Sequence, residues 1–143
     1  MNADDLKKRT KQFALRILKL VAALPNTVQG RAIGGQLVRS GTSVGSNYRE
    51  ACRGRSKAEF VAKLGVAEEE ADESAYWLEL VIDGELLNAK VVKPLLDEAN
   101  ELTKIMARSR ISASIALAKS KLAIGNRKSR MPLNRQSAIG NQK

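Results

Sequence analysis

Seven cations fall into two rows: Lys7, Lys8 and Lys11 near the start of the chain, and Arg49, Arg53, Arg55 and Lys57 around Gly54. Residues three and four apart share a face of a helix, so a helix end and turn carrying several long cations can reach consecutive phosphates of a nucleic-acid backbone. No aromatic platform accompanies the second row. Tyr48 is expected to point inward, and Tyr76 and Trp77 lie most of a helix away, so stacked or base-specific readout is not expected. The chemistry predicted for these seven residues is attachment to RNA or DNA through backbone phosphates.

Residues that invite a catalytic reading lack their partners. The chain has no histidine and a single cysteine, Cys52, which excludes a Cys–His nucleophile, an internal disulfide and a cysteine-rich metal site. Ser40, Thr42, Ser43 and Ser46 have no histidine and no well-placed lysine to act as base. Glu69 and Glu73, one helical turn apart, would form half of a di-metal site, but such sites add a Glu-x-x-His pair from other helices. The segment Gly30, Arg31, Gly34, Gly35 lacks the Lys-Ser/Thr pair of a phosphate loop, and no strand precedes it. A non-enzymatic protein is expected, with no cofactor, no metal and no small-molecule substrate. Cys52 is expected to be a small packing residue.

The elements that must position these residues are helices. Hydrophobic residues make up 43% of the 143 and aromatic residues 3%, so the core must be built from Leu, Ile, Val and Ala, which favours helix-on-helix packing. A first helix is predicted from about Asp4 to Leu24, capped by Asp4 or Asp5, with Leu6, Phe13, Ile17, Leu20, Val21 and Leu24 on one face. A second, capped by Asn26 or Thr27, carries Ile33, Leu37, Gly41, Val44, Tyr48 and Cys52. Its glycines cost roughly 0.8–1 kcal/mol each relative to alanine, so the helix needs close packing to survive. Gly54 stops it. Ser56 and Glu59 form a capping box for a third helix with a stripe of Phe60, Leu64, Ala67, Ala71, Ser74, Leu78 and Val81. That four-and-three spacing suits a left-handed bundle with crossing angles near ~+20°. A fourth helix follows Asn88 with Val91, Leu95, Ala99, Leu102, Ile105 and Met106 inward. The fold predicted is an all-α, antiparallel, up-down four-helix bundle.

The net charge of +10 is concentrated at one end, since seven basic residues and no acids follow residue 118. Residues 1–118 are read as the bundle domain and 119–143 as a basic, low-complexity, disordered tail, in which Ala123 to Arg127 is echoed by Ala138 to Gln142. Such a tail can bind nucleic acid without specificity. Within the bundle, Glu68, Glu69, Glu70, Asp72, Glu73, Glu79, Asp83 and Glu85 run without a base among them, a polarity that can steer a partner or serve as a solvated face. A polar, charged amino terminus and the lack of a long apolar run predict a cytoplasmic protein that does not enter membranes.

Several residues read as structural or interface positions. Gly41 and Gly45 allow close helix approach, while Ser43, Asn47 and Glu50, with Gln36, make a polar stripe beside the apolar face, expected to form a network between helices or subunits. Tyr76 and Trp77 flank a core position, so one ring should point toward another helix or another subunit.

Four segments, in order, resemble a known family: Leu24 and Pro25; Arg39, Ser40, Thr42, Ser43, Gly45, Asn47 and Glu50; Gly54, Arg55, Ser56, Lys57, Glu59 and Phe60; and Glu73, Tyr76, Trp77, Leu78 and Leu80. Over roughly Phe13 to Ile105 the chain resembles the four-helix-bundle proteins encoded in intervening sequences of bacterial 23S rRNA genes, and more distantly the accessory variability proteins of diversity-generating retroelements. The resemblance implies a protomer that assembles into a pentameric ring and associates with nucleic acid. Tyr48 and Arg49 stand where that family has an aliphatic residue and alanine, and Cys52 and Arg53 add bulk and charge. The leading expectation is thus a homo-oligomer with a backbone-binding surface. The alternative is an interaction scaffold whose opposite charges serve subunit assembly.

Overall fold

The computed structural model describes residues 1–140, with side chains as far as residue 129. It contains four helices, α1 (Ala3–Ala22), α2 (Val28–Cys52), α3 (Lys57–Asp83) and α4 (Ala89–Gly140), and no strand among the described residues.

Side-chain caps set most of the starts. The first cap is Asn2, not Asp4 or Asp5: the Asp5 amide donates to Asn2 Oδ1 (2.8 Å) and the Asn2 amide donates to Asp5 Oδ2 (3.3 Å). Asp5 therefore serves as the third residue of the box, where an acid also meets the positive end of the helix. Thr27 caps α2, accepting from the Gly30 amide at 3.0 Å. Ser56 caps α3, accepting from the Glu59 amide at 3.1 Å, while Glu59 reaches past Ser56 to the Arg55 amide at 2.8 Å. Asn88 opens α4 by accepting from the Lys90 amide.

One core joins all four helices. Helix α1 inserts Leu6, Phe13, Ile17 and Leu20; α2 adds Leu37, Val44, Tyr48 and Ala51; α3 adds Leu64, Ala67, Ala71, Ala75, Leu78 and Val81. In α4 the buried set is Val92, Leu95, Leu96, Ala99, Leu102 and Met106. Val91, expected inside, is 61% exposed, and the adjacent Val92 takes its place. Helix α3 packs against α2 and α4, and α1 packs mainly against α2, with no close backbone approach between α1 and α3.

Glycines set the α1–α2 spacing. A Cβ on Gly41 would lie 2.7 Å from Ile17 Cγ1, and one on Gly45 would lie 3.1 Å from Thr10 Oγ1. The α2–α3 contact is fixed instead by hydroxyls: Ser40 and Ser74, both fully buried, lie 2.8 Å apart, and Ser74 Oγ is also 2.8 Å from the Glu70 carbonyl. A hydroxyl has one proton, so Ser74 satisfies the carbonyl by donating and Ser40 by accepting its second contact.

Helix α4 continues through the segment expected as a disordered tail, as far as Gly140. Ala, Leu, Lys and Arg are frequent there and are good helix formers, and a helix nucleated on the core extends at one hydrogen bond per residue. Residues 121–129 are exposed along it. The last three residues of the expected tail, 141–143, and all its side chains beyond 129 lie outside the described residues.

Candidate nucleic-acid interface

Gly45 sits over Thr10 and Gly41 over Ile17, so the start of α1 lies beside the end of α2. The lysines at 7, 8 and 11 therefore meet the arginines at 49 and 53, although about forty residues separate them in sequence. Between them runs an open cleft of about 680 Å³, floored by the small residues Thr10, Ala14, Thr42, Gly45 and Ser46 and rimmed by Lys7, Lys8 and Lys11 from α1 and Arg49 and Arg53 from α2. The Thr10 hydroxyl donates to the Leu6 carbonyl at 2.9 Å, so the floor presents little free polarity of its own.

None of the five rim cations takes part in an ion pair among the described residues. Unneutralised charges of one sign around a concave surface focus positive potential into it, and anions are drawn there from beyond contact range. The single carboxylate on the rim, Glu50, is held by Lys63 at 2.7 Å.

Arg55 and Lys57 are not brought into the cleft; both are exposed, Arg55 on the turn after α2 and Lys57 at the start of α3. Two of the seven sequence-predicted cations thus stand apart from the other five. Cys52 is half-buried beside Tyr48, and burial pushes the Tyr48 phenol up to about 12, with the hydrogen bond to Cys52 adding to the shift.

Among the described residues, Glu50 is the member of the polar stripe on α2 that reaches another helix, through its pair with Lys63 on α3. Ser43 Oγ donates to the Arg39 carbonyl and Asn47 Nδ2 to the Ser43 carbonyl, both within α2, and Gln36 is exposed. Deeper in the α2–α3 contact Ser40 bonds Ser74; Ser74 belongs to the stripe expected for α3, whereas Ser40 lies outside the one expected for α2. Tyr76 is 53% exposed and meets Trp77 edge-on, ring centroids 5.2 Å apart, while Trp77 packs against the core with its Nε1 buried and without a partner. Glu73 is bonded by Arg39 and Glu69 is exposed. Among the described residues no group of three or more His, Cys, Asp or Glu is placed to hold a metal ion.

Three further arginines tie helices together. Arg9 grips Glu98 on α4 through Nε and Nη2 (2.8 and 2.7 Å), Arg110 grips Glu68 on α3 (2.6 and 3.4 Å), and Arg39 pairs with Glu70 and Glu73. The hydrogen bonds that Arg9 and Arg110 donate to Glu98 and Glu68 hold both guanidinium groups above their ordinary value. Sequence spacing carries no signal for these pairs, because they depend on which helices become neighbours.

No helix among the described residues is long and apolar enough to cross a membrane. No curated protein matches the chain. A solved structure from Bacteroides thetaiotaomicron, described as a protein of unknown function from the S23 ribosomal protein family, is 36% identical. That match covers 73% of this chain and 96% of the other, with a TM-score of 0.68. The model of the 23S rRNA-intervening sequence proteins matches residues 4–108, a span that holds every residue of the cleft. On these two matches the chain belongs to the 23S rRNA-intervening sequence protein family.

Proposed function

We propose that this protein is a non-enzymatic, cytoplasmic, oligomeric helical protein that binds RNA or DNA through backbone phosphates in the cleft between α1 and α2. The observation that carries the reading is the convergence of Lys7, Lys8, Lys11, Arg49 and Arg53 on one concave surface with no intramolecular counterion among the described residues. Long cations on two helices match a charged strand whose bases need not be read. The protomer is an antiparallel up-down bundle, a reading supported by contacts that run in opposite senses along α2 and α3: Ser40 with Ser74 and Glu50 with Lys63. Assembly into a ring, a pentamer as the sequence resemblance implies, would repeat the cleft around an axis.

Charge reversal tests the assignment. Each neutralised phosphate contributes about 0.9 to the dependence of log K on log salt. Removing two at about 0.15 M salt therefore weakens duplex binding by about 30-fold. Arg49→Glu with Arg53→Glu is expected to show at least that loss by fluorescence anisotropy, and Arg55→Glu with Lys57→Glu a much smaller one. Equal losses for both pairs would move the binding surface to the turn.

The scaffold reading is favoured by one observation, the unpaired carboxylates Glu69, Asp72, Glu79 and Asp83 on the outer side of α3. It concerns a different face and is compatible with the cleft.

A further inference from the structure

Helix α3 turns one unbroken ridge to solvent. Glu69, Asp72, Tyr76, Glu79 and Asp83 recur at spacings of three and four, all are exposed, and none of the four acids takes part in an ion pair among the described residues. Neighbouring acids on the same helix are used within the chain, Glu68 by Arg110 and Glu70 and Glu73 by Arg39. With Glu85 beyond the end of the helix, the ridge holds the acids of the run that make no ion pair among the described residues. At its centre stands Tyr76, 53% exposed.

Helix α1 carries the complementary ridge. Opposite its buried Leu6, Thr10, Phe13, Ile17 and Leu20 lie Lys8, Lys11, Leu15, Leu18 and Ala22, all exposed, with exposed Lys19 alongside. Leu15 is 49% and Leu18 44% exposed. Each ridge spans fourteen residue steps, about 21 Å at the helical rise. The α3 ridge has Tyr76 at its centre with two acids on each side; the α1 ridge has Leu15 and Leu18 at its centre, with Lys8 and Lys11, which also rim the cleft, before them and Lys19 beside their far end. In either relative direction, then, cations meet carboxylates when the apolar centres are superposed.

The two helices make no close backbone approach within the protomer, and among the described residues no ion pair joins the two exposed ridges. Two copies joined α3 to α3, or α1 to α1, would oppose like charges, which is strongly disfavoured at an interface. We infer that the α1 ridge of one copy docks on the α3 ridge of the next, with Leu15 and Leu18 seated against Tyr76. Such a contact is heterologous, and it generates a closed ring or an open filament rather than a two-fold dimer. The inference rests on the homo-oligomeric reading proposed above and names the surfaces that make it.

Charge exchange with mass measurement of nucleic-acid-free protein separates the two. The native chain is expected to exceed the protomer mass at low salt and to dissociate as salt rises. Glu69→Lys with Glu79→Lys, and separately Lys11→Glu with Lys19→Glu, should each give protomers; the four changes combined should restore the assembly. Restoration also excludes an oligomer held by nucleic acid in the cleft, because the α3 ridge lies outside it. A native chain of protomer mass would overturn the oligomeric reading itself. A native assembly unmoved by either pair would overturn only the choice of surfaces. So would loss on the α3 reversal that is rescued from Arg108 and Lys119 on α4 instead of from α1.

Discussion

A methyl group at position 41 would lie 2.7 Å from Cγ1 and 2.9 Å from Cγ2 of Ile17, a fully buried, β-branched side chain that cannot swing aside cheaply. At position 35 the same methyl group meets nothing within 4 Å. Alanine is favoured over glycine in a helix by about 0.8–1 kcal/mol, whereas an extra carbon in a filled core costs about 1–3 kcal/mol. Gly35→Ala is therefore expected to raise the urea midpoint and Gly41→Ala to lower it. Equal gains at both positions would show that α1 and α2 are not held at the spacing described. The glycines of α2 were readable as a demand for close packing, since a helix so penalised has to recover the cost somewhere. Which of them face α1 was not readable, and Gly35 shows that composition alone overstates the number.

At the scale of elements, short-range signals were the more legible ones. Ser56 reads as a cap, and Thr27 as one of two candidates, because the side chain and the amide it serves lie within three residues, whereas at the first helix Asn2 takes the place expected for Asp4 or Asp5. Val91 and Val92 were not distinguishable, for both fit a helical stripe with Leu95 and Ala99; packing against α3 selects Val92. The end of α3 is a subtler case. The helix ends at Asp83 with Gly84 as its C-cap at φ −81°, and it is Glu85 that adopts the left-handed conformation, at φ 58°. The Leu86 amide donates to the Val81 carbonyl at 2.9 Å and the Glu85 amide to the Ile82 carbonyl at 3.0 Å, a Schellman closure whose left-handed position normally holds glycine. A non-glycine residue there costs roughly 1–2 kcal/mol. Glu85→Gly should raise stability in urea by about 1 kcal/mol, and no gain would mean that the turn is not held in this conformation.

For the whole molecule, charge placement governs both proposals. The five cations of the cleft are separated in sequence into two groups, and the α1–α2 contacts of Thr10 with Gly45 and Ile17 with Gly41 bring them together. The sequence identified all seven basic candidates but could not tell that Arg55 and Lys57 remain outside the cleft, because that depends on where α2 ends relative to α1. The intramolecular pairs made by Arg9, Arg39 and Arg110 were invisible for the same reason, and they consume much of the charge that a composition would assign to partners. The most direct test of the account compares the salt dependence of duplex binding for the native chain with that of a variant in which Lys7, Arg49 and Arg53, the cleft cations outside the α1 docking ridge, are changed to Gln. If each cation neutralises one phosphate, the slope of log K against log salt should become shallower by about 2.7. An unchanged slope would contradict the assignment of the cleft.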